Sequence, residues 1–250
     1  MTLTDRFAEA LIRAHDAAKD DPSKDFPHSS YSAPQGVPTY AEALEIQTRV
    51  MAHLGSVGGF KVGPLFPGEP VIAPIPLRQV FVSGAEVPAR DPLGIELEMG
   101  FELMRPPAPE MRSAPQDFFR PRIVLELVDR RLPGDGHDPL VKLADMQLNA
   151  GLVLGAALDG WDGRDFTTFD ASLRCGDTQV IDGSVSVPGG SALENLRLFL
   201  DHVGDHCGGL RKGQVVITGS VSGCEWFPPG TDVVGLIEGF DPIACRITRA

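Results

Sequence analysis

Basic side chains are scarce in this sequence: 22 lysines and arginines are outnumbered by 34 aspartates and glutamates, which gives a formal net charge of −12 at pH 7. A protein that binds nucleic acid through its phosphates needs a basic surface, so we do not expect a nucleic-acid partner. Long apolar runs are also missing, since none approaches the ~20 residues that cross a bilayer. The acidic, amphipathic first residues are not typical of a secretory signal. We therefore expect a cytoplasmic protein without a membrane partner.

Cysteine is rare as well. The chain has four, far apart and without a CxxC pair: Cys175, Cys207, Cys224 and Cys245. This spacing predicts free thiols in a reducing compartment rather than a disulfide framework. His202 and His206 have a spacing at which a helix could hold zinc, but no second pair of ligands lies near them in the sequence. We do not expect a metal there.

What is present is typical of a globular protein, with 42% hydrophobic and 22% charged residues over 250 positions. This composition excludes disorder, and the length suits one compact domain, alone or with a small cap. The 28 glycines and 22 prolines follow no repeating period. They indicate many turns and short strands.

Two helical patterns open the chain. Apolar residues recur at helical spacing within residues 1–20. Thr39 and Glu42 form a capping box, which predicts a second helix that ends before Gly55. We expect residues 1–58 to form an N-terminal helical cap.

Strand-like runs dominate residues 59–250, which we expect to form a strand-rich core. A helix is predicted from about Asp138 through residue 158, and another after a capping box made by Ser191 and Glu194. A turn at Asp182-Gly183 is predicted to join two strands. The fold class is therefore mixed α and β, without regular βαβ alternation.

The segment 94–104 alternates strictly, with apolar residues on one face and three glutamates on the other. Glu96 and Glu98 would lie side by side on a strand, where they repel each other unless solvent or a cation relieves the repulsion. A solvated strand face and a cation site both remain open. Gly100, on the same face, weakens a strand, and this fits a close approach by a ligand.

Glu126 stands alone in the apolar run 122–130, which is typical of a strand buried on both faces. A lone buried carboxylate costs several kcal/mol unless it is paired, protonated or bound to metal. Arg122 and Arg130 are each four residues away, over ~10 Å along a strand, so the local sequence supplies no partner.

Glu96, Glu98 and Glu126 together could offer three hard oxygen donors. With no histidine or cysteine in the set, the chemistry favours Mg²⁺ or Mn²⁺. Such an ion keeps open positions for water or for a chelating substrate, such as a 2-oxo acid.

Lys61 lies in a short strand-like run flanked by glycines, GGFKVG. It could be a surface lysine at a domain junction. It could instead direct its ammonium at anionic substrate oxygens, or shuttle a proton when partly desolvated.

Three of these motifs resemble the 2-keto-4-pentenoate hydratase and 4-oxalocrotonate decarboxylase family, within the fumarylacetoacetate hydrolase superfamily. GGFKVG resembles its lysine strand, IELEMGFEL its E-x-E-x-x-F-x-L strand, and LELVDRR its I-E-I-x-D-S-R strand. The likeness extends upstream to YAEALEIQ and downstream to LADMQLNAGLVLG and KGQVVITGS. It covers nearly the whole chain in the same order.

The resemblance implies a fumarylacetoacetate hydrolase-like strand-rich core with an N-terminal helical cap. It implies a divalent ion on the three glutamates and an active-site role for Lys61. It further implies oligomers, so we expect a homo-oligomer. Substrate contacts are expected from five residues: Gly63, Asp145, Thr218, Gly219 and Ser220.

The chain departs from the family where relatives read A-D-N-A-S. Asp145 is kept, but Met146 and Leu148 replace polar residues that lie near the substrate in relatives. The segment after Lys61 also lacks an aspartate that hydratases commonly have, and its nearest polar groups are Arg78 and Gln79. Water addition needs an acid or base within hydrogen-bond reach, and the sequence names none.

The resemblance implies a metal-dependent lyase that acts on a small 2-oxo acid or its dienol. A 2-keto-4-pentenoate hydratase-like reaction in aromatic catabolism is the first hypothesis. The alternatives are a 4-oxalocrotonate-type decarboxylase and a catalytically weakened, metal-dependent small-acid-binding protein.

A third reaction, hydrolytic carbon–carbon cleavage, would need an activated water. His28 and His53, in the predicted N-terminal cap, are the candidates to activate it. Arg130, Arg131 and the loop 132–140 are expected to cover the mouth of the site. His137 in that loop is a possible contact, although a solvated histidine is the simpler interpretation.

Overall fold

The computed structural model describes residues 1–20, 34–132 and 138–250. Two helices come first, α1 at Leu3–Asp20 and α2 at Tyr40–Leu54. The predicted capping box is confirmed: the Thr39 hydroxyl accepts the backbone N–H of Glu42, and the Glu42 carboxylate accepts that of Thr39. The two helices share an apolar cluster with residues 71 and 73 of the second strand, with Leu132 and with apolar residues of the segment 141–146. The boundary at residue 58 stays a prediction.

Thirteen strands form two sheets within the described part of the chain. The larger sheet has the order β2-β1-β10-β5-β6-β7-β3, with β11 added beside β5. Its strands are β1 Val57–Phe66, β2 Glu69–Pro76, β3 Val80–Val82, β5 Leu93–Leu103, β6 Phe119–Val128, β7 Asn149–Ala157, β10 Val215–Ser220 and β11 Glu225–Phe227.

The smaller sheet has the order β4-β13-β12-β8-β9. Its strands are β4 Ala85–Ala89, β8 Thr168–Cys175, β9 Thr178–Ser186, β12 Asp232–Ile237 and β13 Ile243–Arg249. The main apolar core takes residues from both sheets and from helix α4, Ala192–His202. The predicted fold class, mixed α and β with a strand-rich core behind N-terminal helices, is confirmed.

The predicted helix from Asp138 through residue 158 is wrong. Helix α3 covers only Pro139–Ala144, and β7 begins at Asn149. Between them, three consecutive non-glycine residues, Met146–Leu148, have positive φ angles of 52°, 52° and 62°. This left-handed turn ends the helix. The apolar run that follows is a strand buried on both faces, which periodicity alone does not distinguish from a buried helix.

The predicted turn at Asp182-Gly183 is also wrong. β8 and β9 do pair, but they are joined after Cys175, and Asp182 lies inside β9 opposite Ser172.

The second capping box is half confirmed. Ser191 accepts the N–H of Glu194, whereas the Glu194 carboxylate accepts a bond from Arg197.

All four cysteines are free thiols. In the described ranges, no helix has the length and apolar character needed to cross a membrane.

Candidate active site

Strand pairing brings the three predicted glutamates together. β5 and β6 are antiparallel, and Glu96 pairs directly with Glu126. Glu98 is two residues along β5 and therefore lies on the same face. This face also carries a small apolar cluster: Ile75, Val124, Leu152, Val215 and Ile217. The carboxylates thus lie in a largely apolar setting.

The three carboxylates converge on one point. Each offers an oxygen, and the three oxygens lie within 4.8 Å of one another. Among residues 1–20, 34–132 and 138–250, no other three histidine, cysteine, aspartate or glutamate side chains meet in this way. Glu98 and Glu126 are fully buried. A solvated strand face, the alternative left open by the sequence, is therefore excluded.

Lys61 reaches the same point from β1. That strand lies beside β10, which in turn lies beside β5, so that Lys61 and Gly100 both align with Ile217. The Lys61 Nζ lies 2.5 Å from Glu126 Oε2 and 3.3 Å from Glu96 Oε2. Lys61 is thus the partner of Glu126 that the local sequence lacked.

Two further groups hold the carboxylates in place. The Asn149 Nδ2 donates to Glu126 Oε1 over 2.8 Å, and the Gly219 backbone N–H donates to Glu98 Oε2 over 2.7 Å. Sequence reasoning missed Asn149 because it begins β7, which was predicted as part of a helix. The strand assignment would have placed it beside β6.

Burial controls the protonation of the trio of Glu96, Glu98 and Glu126. Loss of hydration raises the pKa of Glu96 and of Glu98 to about 7, and Lys61 only partly opposes this. Burial likewise raises the pKa of Glu126. Burial by itself disfavours the charged Lys61, but the surrounding carboxylates outweigh it and raise its pKa. The ammonium therefore stays charged.

The residues present fit a hard divalent cation. The Glu98 Oε1 is buried and has no hydrogen-bond partner, so one carboxylate oxygen of the trio lacks a donor. Three carboxylates against one ammonium leave excess negative charge when all are ionised, which a divalent ion would neutralise. The all-oxygen donor set matches Mg²⁺ or Mn²⁺.

The T-G-S segment lies at the end of β10, as the family pattern implies. Thr218 is fully buried and donates its hydroxyl to the Met99 carbonyl, so its side chain serves the fold. Ser220 bonds to the Gly223 carbonyl. Gly63 has open space where a Cβ would lie. The substrate contacts expected of Gly63, Thr218, Gly219 and Ser220 stay predictions.

Asp145 is engaged by a buried cation. The Arg131 Nε lies 2.5 Å from Asp145 Oδ1, and its other nitrogens bond to the backbone carbonyls of Asn149 and Asp145. Burial raises the pKa of Asp145 to about 6, and Arg131 opposes this. The expectation that Arg131 covers the mouth of the site is wrong, because this side chain is almost fully buried. Substrate binding by Asp145 stays a prediction.

The remaining expectations have mixed outcomes. His28 and His137 lie outside the described residues. His53 pairs with Asp16 within the N-terminal helices. His202 bonds to the Leu198 carbonyl and His206 to the Gln47 side chain, so the two histidines have separate partners.

Gly100 serves packing rather than ligand approach. A Cβ there would lie 2.9 Å from a methyl group of Val215 and 3.3 Å from one of Val124. The close approach that the glycine permits is therefore between neighbouring strands and their side chains.

No protein-family model and no curated protein sequence matches the chain. Solved structures do. One is 4-oxalocrotonate decarboxylase from Pseudomonas putida G7 in complex with magnesium and adipate, at 15% identity over 97% of each chain with a TM-score of 0.72.

Two others match less of the chain. The 5-carboxymethyl-2-hydroxymuconate delta-isomerase from Mycobacterium smegmatis gives 16% identity over 78% of each chain and a TM-score of 0.55. The fumarylpyruvate hydrolase from Pseudomonas aeruginosa, in complex with Mn²⁺ and pyruvate, gives 13% identity over 76% of this chain and 89% of that one, with a TM-score of 0.54. The predicted fold is confirmed by these similarities.

Proposed function

We propose that the protein is a divalent-metal-dependent lyase that acts on a small 2-oxo acid or its dienol. One observation carries this proposal: three buried carboxylates meet at one ammonium, and one carboxylate oxygen among them has no hydrogen-bond partner. Burying these charges without a ligand to neutralise them is costly, which is typical of a functional site rather than of a stabilising feature.

Glu96, Glu98 and Glu126 would hold Mg²⁺ or Mn²⁺. When bound, such an ion acts as a Lewis acid toward a chelated 2-oxo carboxylate. Lys61 would place its positive charge beside the oxygen on which enolate charge develops. Asn149 and the Gly219 N–H keep the Glu126 and Glu98 carboxylates oriented, as groups behind metal ligands generally do.

Hydration and decarboxylation both need this enolate, and the first hypothesis from the sequence is hydration. Water addition requires an acid or base, yet Met146 and Leu148 occupy positions that are polar in the family, and Met146 is buried among apolar residues. Decarboxylation has no water to activate. The fold similarity to a decarboxylase over 97% of the chain agrees with this choice. We therefore favour decarboxylation and keep hydration as the second candidate.

Two assays on the Mg²⁺-loaded protein separate these candidates. Release of CO₂ from 2-oxohex-3-enedioate supports decarboxylation, and consumption of 2-hydroxypenta-2,4-dienoate with water uptake supports hydration. Glu126→Gln should abolish either activity. Glu102→Gln is the matched control, because Glu102 lies on the same strand face but pairs with Arg120 and Arg122.

The lyase proposal fails if calorimetry detects no uptake of Mg²⁺ or Mn²⁺. Metal-dependent binding of oxalate without turnover of a panel of 2-oxo acids would instead support the small-acid-binding alternative. Homo-oligomeric assembly and a cytoplasmic location stay predictions from the sequence.

A further inference from the structure

The Asn149 side chain has one polar atom that its contacts leave unused. Its Nδ2 donates to Glu126 Oε1 over 2.8 Å and to the Gly151 carbonyl over 3.4 Å. Its Oδ1 is buried and has no hydrogen-bond donor in the described part of the chain. A buried acceptor without a donor is costly, so we expect a ligand to supply the missing hydrogen.

The orientation of this amide is determined by its two acceptors. The main-chain carbonyl of Gly151 can only accept a hydrogen bond, and the Glu126 carboxylate, which the Lys61 ammonium keeps company, accepts as well. Exchanging the nitrogen and the oxygen of the amide would place an acceptor against an acceptor at both contacts. Oδ1 is therefore the atom that faces away from these two partners.

This unused acceptor lies at the candidate site. Oδ1 and Nδ2 are bonded to the same carbon, so Oδ1 is also close to Glu126. Lys61 binds the other oxygen of that carboxylate, Oε2, over 2.5 Å. The Glu126 carboxylate is thus flanked by a cation that donates and by an amide oxygen that accepts. A hydroxyl matches this combination because it accepts and donates at once, whereas a ketone oxygen only accepts.

We propose that Asn149 is a specificity-determining residue whose Oδ1 accepts a hydrogen bond from a hydroxyl at C2 of the ligand, so that the site binds a dienol in preference to its 2-oxo tautomer. The inference rests on the proposed function, because the ligand must be anchored at the trio by its carboxylate and its C2 oxygen. The two tautomers have the same atoms and the same charge, and differ in the position of one hydrogen. An acceptor that only the dienol satisfies is therefore a means of distinguishing them.

This contact is separate from the bond that Asn149 makes to Glu126. Nδ2 orients a carboxylate of the trio, whereas Oδ1 contacts the ligand itself. An aspartate at position 149 keeps an acceptor in the place of Oδ1 but loses the donor to Glu126. An alanine loses both. Comparing the two substitutions therefore separates recognition of the ligand from orientation of the carboxylate.

Calorimetry on the Mn²⁺-saturated protein tests the proposal with two acids of equal chain length: pyruvate, which has a ketone at C2, and the tighter-binding enantiomer of lactate, which has a hydroxyl there. The readout is the Kd of pyruvate divided by the Kd of lactate, a ratio from which a change common to both acids cancels. Asn149→Ala should lower this ratio about two- to tenfold, the range of one hydrogen bond, whereas Asn149→Asp should not lower it. Gln179→Ala, which removes an amide from β9 of the smaller sheet, is the matched control and should leave the ratio unchanged.

A crystal structure of the wild type with Mn²⁺ and lactate tests the same contact and requires no variant to fold. A lactate hydroxyl within hydrogen-bond distance of Asn149 Oδ1 supports the proposal, and a longer separation overturns it. An unchanged ratio in Asn149→Ala overturns it as well. Oxalate binding to the Mn²⁺-loaded protein alongside either of these negative results removes the role of Asn149 and leaves the lyase proposal standing. If this protein fails to bind oxalate, both fall together.

Discussion

Asn149, the first residue of β7, contacts the candidate site through its side chain. It is almost fully buried, donates to Glu126 Oε1, and has its own carbonyl held by Arg131. A buried carboxylate with two defined donors, Lys61 and Asn149, keeps one orientation. Asn149 is therefore a positioning residue that links the buried Arg131–Asp145 pair to the trio.

Replacing Asn149 with alanine should weaken Mn²⁺ binding. Loss of a group that orients a metal ligand typically costs about ten- to a hundredfold in metal affinity, and we expect a change in that range. Titration calorimetry with Mn²⁺ measures it. Gln179→Ala in β9 removes an amide from the smaller sheet and should leave the affinity unchanged; an equal effect of the two variants would contradict the assignment.

Arg131→Met should lower the free energy of unfolding by about 3–5 kcal/mol, because it leaves Asp145 buried without its cation. Urea denaturation of the metal-free protein measures this. The double variant Arg131→Met/Asp145→Leu should recover a large part of the lost stability, since it also removes the Asp145 carboxylate that would be buried without a cation. A loss below ~1 kcal/mol in the single variant would show that water or another group can solvate Asp145.

At the scale of elements, the candidate site depends on how closely β1 can approach β10. Gly59 pairs with Val215, and a Cβ on Gly59 would lie 2.4 Å from the Val215 carbonyl oxygen. Real structures do not tolerate that contact, so a side chain here must separate the strands. Lys61, two residues along β1, would move with its strand.

Gly59→Ala should therefore destabilise the protein by about 1–3 kcal/mol or more and weaken Mn²⁺ binding. Gly63→Ala is the matched control for stability, because nothing lies within 4 Å of a Cβ there. Thermal unfolding of the two variants compares them directly. Equal stabilities would mean that the β1–β10 pairing is not as tight as described.

Elements with their own local signals could be predicted from the sequence, and elements defined by their neighbours could not. The Thr39 capping box fixes the start of α2 through bonds within four residues. The alternation along β5 likewise predicted a shared face for Glu96 and Glu98. In contrast, β7 is buried on both faces, so its apolar residues do not alternate with polar ones. Its sequence therefore resembles that of a buried helix.

The same limit applies to the site. The lone carboxylate of Glu126 signalled that a partner was needed, but neither partner is close in sequence: Lys61 is 65 residues away and Asn149 is 23. Only the strand order β1-β10-β5-β6-β7 brings them together. Long-range pairing of this kind leaves no local pattern, so Asn149 could not be identified before β7 was.

For the whole molecule, the trio makes the stability of the metal-free protein depend on pH. Glu96 and Glu98 have folded-state pKa values of about 7, above their ordinary value of 4.5. Groups that bind protons more tightly when folded contribute stability that is present below the ordinary pKa and is lost as the pH rises through the folded pKa. Metal-free protein should therefore lose stability between about pH 4.5 and about pH 7. Asp145, whose pKa is raised to about 6, acts in the same direction.

Mg²⁺ should reverse this dependence, because the ion competes with protons for the same oxygens. We expect the rise in Tm on adding Mg²⁺ to be small at about pH 5 and large at about pH 8, where saturation at a hundred times Kd is worth about 2.7 kcal/mol. Glu98→Gln distinguishes the contribution of the trio to this pH dependence from that of Asp145. If the trio is responsible, this variant should flatten the pH dependence of the metal-free protein and reduce the Mg²⁺ effect at the higher pH. A Tm rise that is equal at both pH values would mean that the ion binds elsewhere, since only ligands that titrate in this window couple metal uptake to proton release.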